Sequence, residues 1–296
     1  VRAPGAGRYQ LRMEAVGVFS ERTEPVSLVD GQTIVRPIVF EMRARSLSAI
    51  TIKGGSRCQT NPEGSTAVAI LWDEVRKALA VTQLTADAGA FRFDLVEYER
   101  ELDPRSKAVR RSRRWERPAV TGQPYESIPA DSLARHGFVR TANDGTWYYA
   151  PDARTLLSDA FLRTHCLAAI ESRGDDGLLG LAFEPTNERG IPDVKGTLWL
   201  DAATSRLRTL EYRYTGLPRS VRDYELGGRV EFERLPLGAW IVRHWYIRMP
   251  RLSRQVRTMP SAVPDAGPAR PVPVTVETVI GLVGRGRDVT VHASDL

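Results

Sequence analysis

The chain has 296 residues, 42% of them hydrophobic, with 42 Lys and Arg against 36 Asp and Glu for a formal charge of +6. That apolar content over that length supports a buried core in one large or two modest domains and excludes wholesale disorder. No run approaches 18 apolar residues, Ala67–Trp72 and Leu178–Phe183 being the longest, which excludes a membrane-crossing helix, and a small Arg-dominated excess of charge does not by itself name a polyanionic partner.

Residues 1–53 read as β throughout, with strands over Arg8–Val16, Val26–Leu28, Thr33–Arg43 and Leu47–Lys53 separated by Glu24-Pro25 and Asp30-Gly31. The run Pro4-Gly-Ala-Gly-Arg-Tyr9-Gln-Leu11-Arg-Met13-Glu-Ala-Val16-Gly17-Val-Phe19, followed by Val26-Ser-Leu28, Ile38-Val-Phe40-Glu-Met42 and Leu47-Ser-Ala-Ile50-Thr-Ile52, resembles the second half of a carboxypeptidase regulatory-like domain. The resemblance implies a transthyretin-like β-sandwich, here partial, at the front of a bacterial envelope protein, and no peptidase activity. The chain opens at Val1 inside the β pattern, with no signal-peptide signature, so a fragment or mature part of a longer protein is expected.

Gly54–Ser65 is polar and carries Gly and Pro, the composition of a linker, and residues 66–296 then form the second expected unit, an antiparallel sheet with helices. Val68, Leu71, Trp72, Val75, Leu79 and Thr82 follow helical spacing behind Ser65 or Thr66 as N-cap, with Asp73 four residues before Lys77. A hairpin follows, alternating at Phe91–Leu95, turning at Asp103-Pro104 and returning through Lys107–Arg117. As a strand this basic run divides its arginines, Arg111 and Arg113 on one face and Arg110 and Arg114 on the other. A solvated strand is therefore expected, with no nucleic acid as partner; phospholipid head groups are the other reading of the charge.

Ser127–Gly137 and Asp152–Thr164 have capped, amphipathic helix patterns, and Asn143-Asp-Gly145 is a hairpin turn between Gly137–Thr141 and Thr146–Ala150. Strands follow at Leu167–Glu171 and Leu178–Glu184. From Gly196 to Met249 four aromatic-rich strands run in succession, Leu210, Tyr212 and Tyr214 alternating with Thr209, Glu211 and Arg213 as one buried and one wet face. A Pro-rich loop, Pro260–Pro273, precedes two last strands, Val274–Leu282 and Asp288–His292, with Gly284 and Gly286 read as turn residues between them. The fold class expected is mainly β (α+β), a long curved antiparallel sheet covered by two to three helices. Gly196–Asp201, Leu207–Tyr214 and Val230–Met249 resemble the half-barrel of periplasmic lipoprotein carriers, which implies a concave face able to shelter an acyl chain.

Chemistry is sparse. GxSxG, HExxH, P-loop, dinucleotide-binding and EF-hand patterns are not in the sequence, and neither a cofactor nor a metal is expected. His136, His165, His244 and His292 are scattered and read as surface or capping residues; Asp175-Asp176 and Glu184 with Asp193 read as solvated loop acids. Cys58 and Cys166 favour a disulfide, hence an oxidising compartment, over two buried thiols or a Cys166–His165 nucleophile, since neighbouring helical residues point about 100° apart. In Trp240–Met249 both strand faces are apolar, Trp240, Val242 and Tyr246 on one and Ile241, Trp245 and Ile247 on the other, so both require cover. Trp240, Val242, Trp245 and Tyr246 are the candidate face for an apolar ligand or partner. The function expected is a non-enzymatic, periplasmic or outer-membrane-associated binding or structural module acting on another envelope component, with a lipid or lipoprotein carrier or sensor, and then a hydrolase, as alternatives.

Overall fold

The computed structural model describes residues 3–35, 37, 43–50, 52, 58, 65–142, 145–172, 174, 176–186, 189–260 and 271–292. Near the start, β1 (Gly7–Tyr9) pairs antiparallel with β4 (Val26–Leu28), and β2 (Arg12–Met13) with β3 (Glu21–Arg22). The strand expected over Arg8–Val16 is thus interrupted at Gln10 and ends at Met13. Leu47–Ile50 forms a turn in place of the expected strand, Ile50 N donating to the Leu47 carbonyl. That turn delivers Leu47, fully buried, into the main core, with its own N–H on the carbonyl of Ala202. Most of Thr33–Arg43 and of the linker lies outside the described residues; Cys58 and Ser65 are described.

Helix α1 (Thr66–Asp87) starts behind Ser65 and buries Val68, Leu71, Val75, Ala78, Leu79 and Thr82, the apolar stripe that its spacing predicts. Trp72 flanks this stripe, half-buried. β5 (Phe93–Leu102) and β6 (Val109–Val120) form the basic hairpin, its turn held by Asp103, whose Oδ1 accepts from the N–H groups of Arg105 and Ser106. α2 (Ala130–His136) ends at Gly137, and β7 (Val139–Ala142) pairs β8 (Gly145–Tyr148) around the expected turn, of which Asn143 and Asp144 lie outside the described residues. The single helix expected over Asp152–Thr164 is two, α3 (Ala153–Leu157) and α4 (Asp159–Thr164), because Ser158 ends one and caps the other, its hydroxyl accepting from Phe161 N.

The rest of the chain is a meander of β9 (His165–Glu171), β10 (Leu178–Pro185), β11 (Asp193–Asp201), β12 (Leu207–Thr215), β13 (Gly227–Arg234), β14 (Trp240–Pro260) and β15 (Pro271–Val291). β5 adds to the open edge of β15, closing a nine-stranded antiparallel sheet in the order β6-β5-β15-β14-β13-β12-β11-β10-β9. The fold is mainly β as expected. Leu210, Tyr212 and Tyr214 are buried and Glu211 and Arg213 exposed, so the inner face of the meander packs against α1, which touches β9, β10, β11, β12 and β14.

Two expectations for the last strands are corrected. Pro271–Val291 is one continuous strand, and Gly284 and Gly286 lie within it. A Cβ on Gly286 would stand 2.3 Å from the Trp245 carbonyl and 2.5 Å from the Tyr98 hydroxyl, so the glycine admits a tyrosine ring laid across the sheet. Gly228 serves Tyr212 in the same way, the hydroxyl falling 2.5 Å from the same notional atom. Of the Pro260–Pro273 loop, the ends belong to β14 and β15 and residues 261–270 lie outside the described residues. Among the described residues, the stretches 251–260 of β14 and 271–281 of β15 pair only with each other, as a two-stranded extension of the sheet.

Candidate binding surfaces

The parity expected in β14 fails at one residue. Glu231 pairs with His244 but Phe232 pairs with Val242, so Arg243 is a bulge. An extra residue turns every following side chain over. Trp240 and Val242 therefore share the inner side with Trp245 and Ile247, all in or against the main core, while Ile241 joins a smaller cluster with Phe93, Leu95, Leu235, Val289 and Val291. Of the four candidate residues, the structure brings Trp240, Val242 and Trp245 to one side and separates Tyr246, which lines a groove of about 580 Å³ on the outer face together with Lys195, Glu211, Arg213 and Arg248. In that groove Glu211 receives Arg229 at 3.0 Å and Glu225 receives Arg213 at 3.3 Å.

Trp240 and Val242 are closed off at 3% and 7% exposure. Trp245 is half-buried and stands at the border of the covered region. Its indole N–H donates to the Pro124 carbonyl at 3.2 Å, Tyr125 lies against it with ring centres 5.3 Å apart, and Arg287 sits 5.7 Å over its ring. Around it opens a mouth of about 310 Å³ lined by Tyr125, Ile128, Tyr148, Tyr149, Trp245 and Ile247. Burial raises the Tyr148 hydroxyl to a pKa of about 12 and takes Tyr125 well above the ordinary tyrosine value, so both remain neutral, each with one O–H to donate. Tyr125 already donates to the carbonyl of Pro151 at 2.8 Å. Trp245→Ala is expected to cost about 2–3 kcal/mol by urea unfolding, below the full core value because the ring is half-exposed at the mouth. Arg243→Ala, at the exposed bulge with its nearest carboxylate, Glu233, at 3.6 Å, should cost under about 0.5 kcal/mol. Equal small losses would mean that the mouth is not a packed structure.

Cys58 and Cys166 form the expected disulfide, with Cα atoms 5.2 Å apart. This rules out the Cys166–His165 nucleophile, because the sulfur is already bonded. His165 is not a surface residue: it is 1% exposed, stacked on Phe161 with ring centres 3.9 Å apart. Its Nε2 lies 3.2 Å from Asp193 Oδ1 and 3.2 Å from the Val194 carbonyl. Asp193, read as a loop acid, is likewise 1% exposed and also bound by Arg189. His136 conforms to the capping expectation, its Nδ1 3.1 Å from the Ser132 carbonyl. The half-buried His244 meets the Tyr98 hydroxyl at 2.9 Å. Among the described residues, the one candidate cluster of metal-ligand types is Cys58, Cys166 and Glu184, and its two sulfurs are consumed by the disulfide.

The charged residues of α1 are the feature that sequence reasoning missed. Glu74 is 0% and Lys77 2% exposed, joined at 2.9 Å, with Asp73 2.9 Å from Lys77 and Arg45 2.8 Å from Asp73 and 3.3 Å from Glu74. Glu74 also accepts from Gly17 N at 2.8 Å, and Lys77 donates to the Val18 carbonyl at 2.9 Å. The knot therefore fastens residues near Gly17 and Arg45 onto the helix. A signal existed: Glu74 falls three residues after Leu71 and four before Ala78, inside the apolar stripe. Glu14, by its hydrogen bond from Arg76, is held below the usual carboxylate range; Asp73 is too, since Lys77 and Arg76 outweigh the upward push of burial. Lowered folded-state values mean stability that is present above the ordinary carboxylate range and lost as pH falls through it and past the folded values. Amide protection factors in residues 7–28, taken against the intrinsic rate at each pH, should accordingly fall between about pH 5 and pH 3; unchanged protection over that interval would contradict the assignment.

Comparison of the chain with protein-family models, curated proteins and solved structures finds no match. Among the described residues no helix is long and apolar enough to cross a membrane.

Proposed function

We propose that this chain is a non-catalytic binding module of the bacterial cell envelope, working outside the cytoplasm on another envelope component. The observation that carries the reading is the aromatic mouth at Trp245. At about 310 Å³ it lies at the lower end of small-molecule sites, suited to an inserted side chain or short apolar group of a partner, and Tyr125, Tyr148, Tyr149 and Trp245 give it an aromatic lining. The Cys58–Cys166 bridge supports an oxidising compartment. The resemblance of residues 1–53 to the regulatory-like sandwich supports the envelope.

A carrier or sensor of lipid or lipoprotein is the second reading, favoured by the aromatic inner face of the sheet against α1; it requires α1 to move and enlarge the space. Native mass spectrometry of protein isolated from a bacterial envelope separates the two. A binding module should fly at its bare mass, and a photo-crosslinker at Tyr148 should capture a protein partner in a manner lost with Trp245→Ala. A stoichiometric lipid adduct would replace the first reading by the second.

A further inference from the structure

The outermost strand, β6, is exposed on both faces through Arg117, and among the described residues no strand pairs with its outer edge. The edge from Val109 to Arg117 is about 30 Å of unpaired backbone donors and acceptors. Register places Arg111, Arg113 and Trp115 opposite Glu101, Glu99 and Glu97 of β5. Those three carboxylates are engaged from the other side: Glu101 by Arg251 at 3.1 Å, Glu99 by Arg285 at 2.7 Å and Glu97 by Arg287 at 2.7 Å. Arg117 adds to Glu97 at 3.4 Å. This face therefore carries three more guanidinium than carboxylate groups, counting Arg111, Arg113, Arg117, Arg251, Arg285 and Arg287 against Glu97, Glu99 and Glu101. Arg111 and Arg113, unpaired with any carboxylate among the described residues, stand at its rim beside Trp115, which is 47% exposed.

We infer that β6 accepts an acidic, extended segment of a partner protein as a tenth strand. Arginines on an edge blunt it against pairing, but only by sign. A second copy of this chain would lay arginine against arginine directly across the new ladder, which is repulsive. An acidic strand would instead place carboxylates opposite Arg111, Arg113 and Arg117, since both strands repeat every two residues. Its backbone would bond to the free edge and its side chains would supply the missing charge. A flat anionic membrane would match this less well, since Arg110 and Arg114 project from the opposite face. The inference goes beyond the reading of the mouth and does not depend on it.

The test uses an eight-residue peptide of alternating Glu and Thr and the full chain, by fluorescence anisotropy. Binding should be salt-sensitive, should fall at least about tenfold with Arg111→Glu/Arg113→Glu, and should return when that variant meets the matching Lys and Thr peptide. The same Glu and Thr peptide with alternate amides N-methylated should not bind, since its ladder cannot form. Equal binding of the methylated peptide would reduce the site to an unspecific charge patch and overturn the strand. So would no binding of the acidic peptide, or binding only to phosphatidylglycerol vesicles or duplex DNA. The melting temperature of the double variant should fall by no more than about 5 °C, its exposed glutamates now standing across from Glu101 and Glu99, and a failed mouth crosslink would leave this result unaffected.

Discussion

Glu74→Leu is expected to cost about 3–5 kcal/mol, because it leaves the buried Lys77 ammonium short of one buried counter-charge and leaves Gly17 N without its acceptor. Lys77→Met should cost a similar amount, leaving the buried Glu74 with Arg45 alone as counter-charge and the Val18 carbonyl without its donor. The double variant Glu74→Leu/Lys77→Met should cost less than either single one, about 1–3 kcal/mol, since apolar side chains of similar volume often replace a buried ion pair at little net cost while Gly17 N and the Val18 carbonyl still lose their partners. The three measurements come from urea unfolding. The double variant should retain a stable sheet but show faster amide exchange around Gly17 and Val18, because the ties from the helix to that segment are gone. Two single variants each costing under about 1 kcal/mol would show that water reaches the pair.

Reduction of Cys58–Cys166, or Cys58→Ser, should remove about 4.7 kcal/mol in the chain-entropy model, given the 108-residue separation of the two cysteines. For a chain of this size that corresponds to a fall in melting temperature of roughly 10 °C. The disulfide fastens Cys58 to β9, the edge strand of the sheet opposite β6, and the meander should persist without it. Thiol labelling of protein folded under oxidising conditions should find neither sulfur reactive. Two reactive thiols in the native state would remove the support for an oxidising compartment together with the stability effect.

Much of this was legible in the residues alone. Alternation of Leu210, Tyr212 and Tyr214 with Glu211 and Arg213 determined which way β12 faces, because a strand's two sides are set by the geometry of successive residues. The stripe from Val68 to Thr82 determined α1, and Asp103-Pro104 the basic hairpin, for the same local reason. The two cysteines carried a preference for a bond, although their sequence does not say that they meet.

Tertiary structure decided what depends on partners far along the chain. The bulge at Arg243 exists to reconcile β14 with β13, and one extra residue was enough to move Trp245 to the side of Trp240 and to part Tyr246 from both. Gly286 reads as a turn residue until β5, almost two hundred residues earlier, lays Tyr98 across it. Glu74 and Lys77 look like solvated helix charges until the segment around Gly17 and Arg45 folds over them and excludes water. In each case the local pattern is compatible with two outcomes of similar energy, and a contact made only in the folded sheet chooses between them.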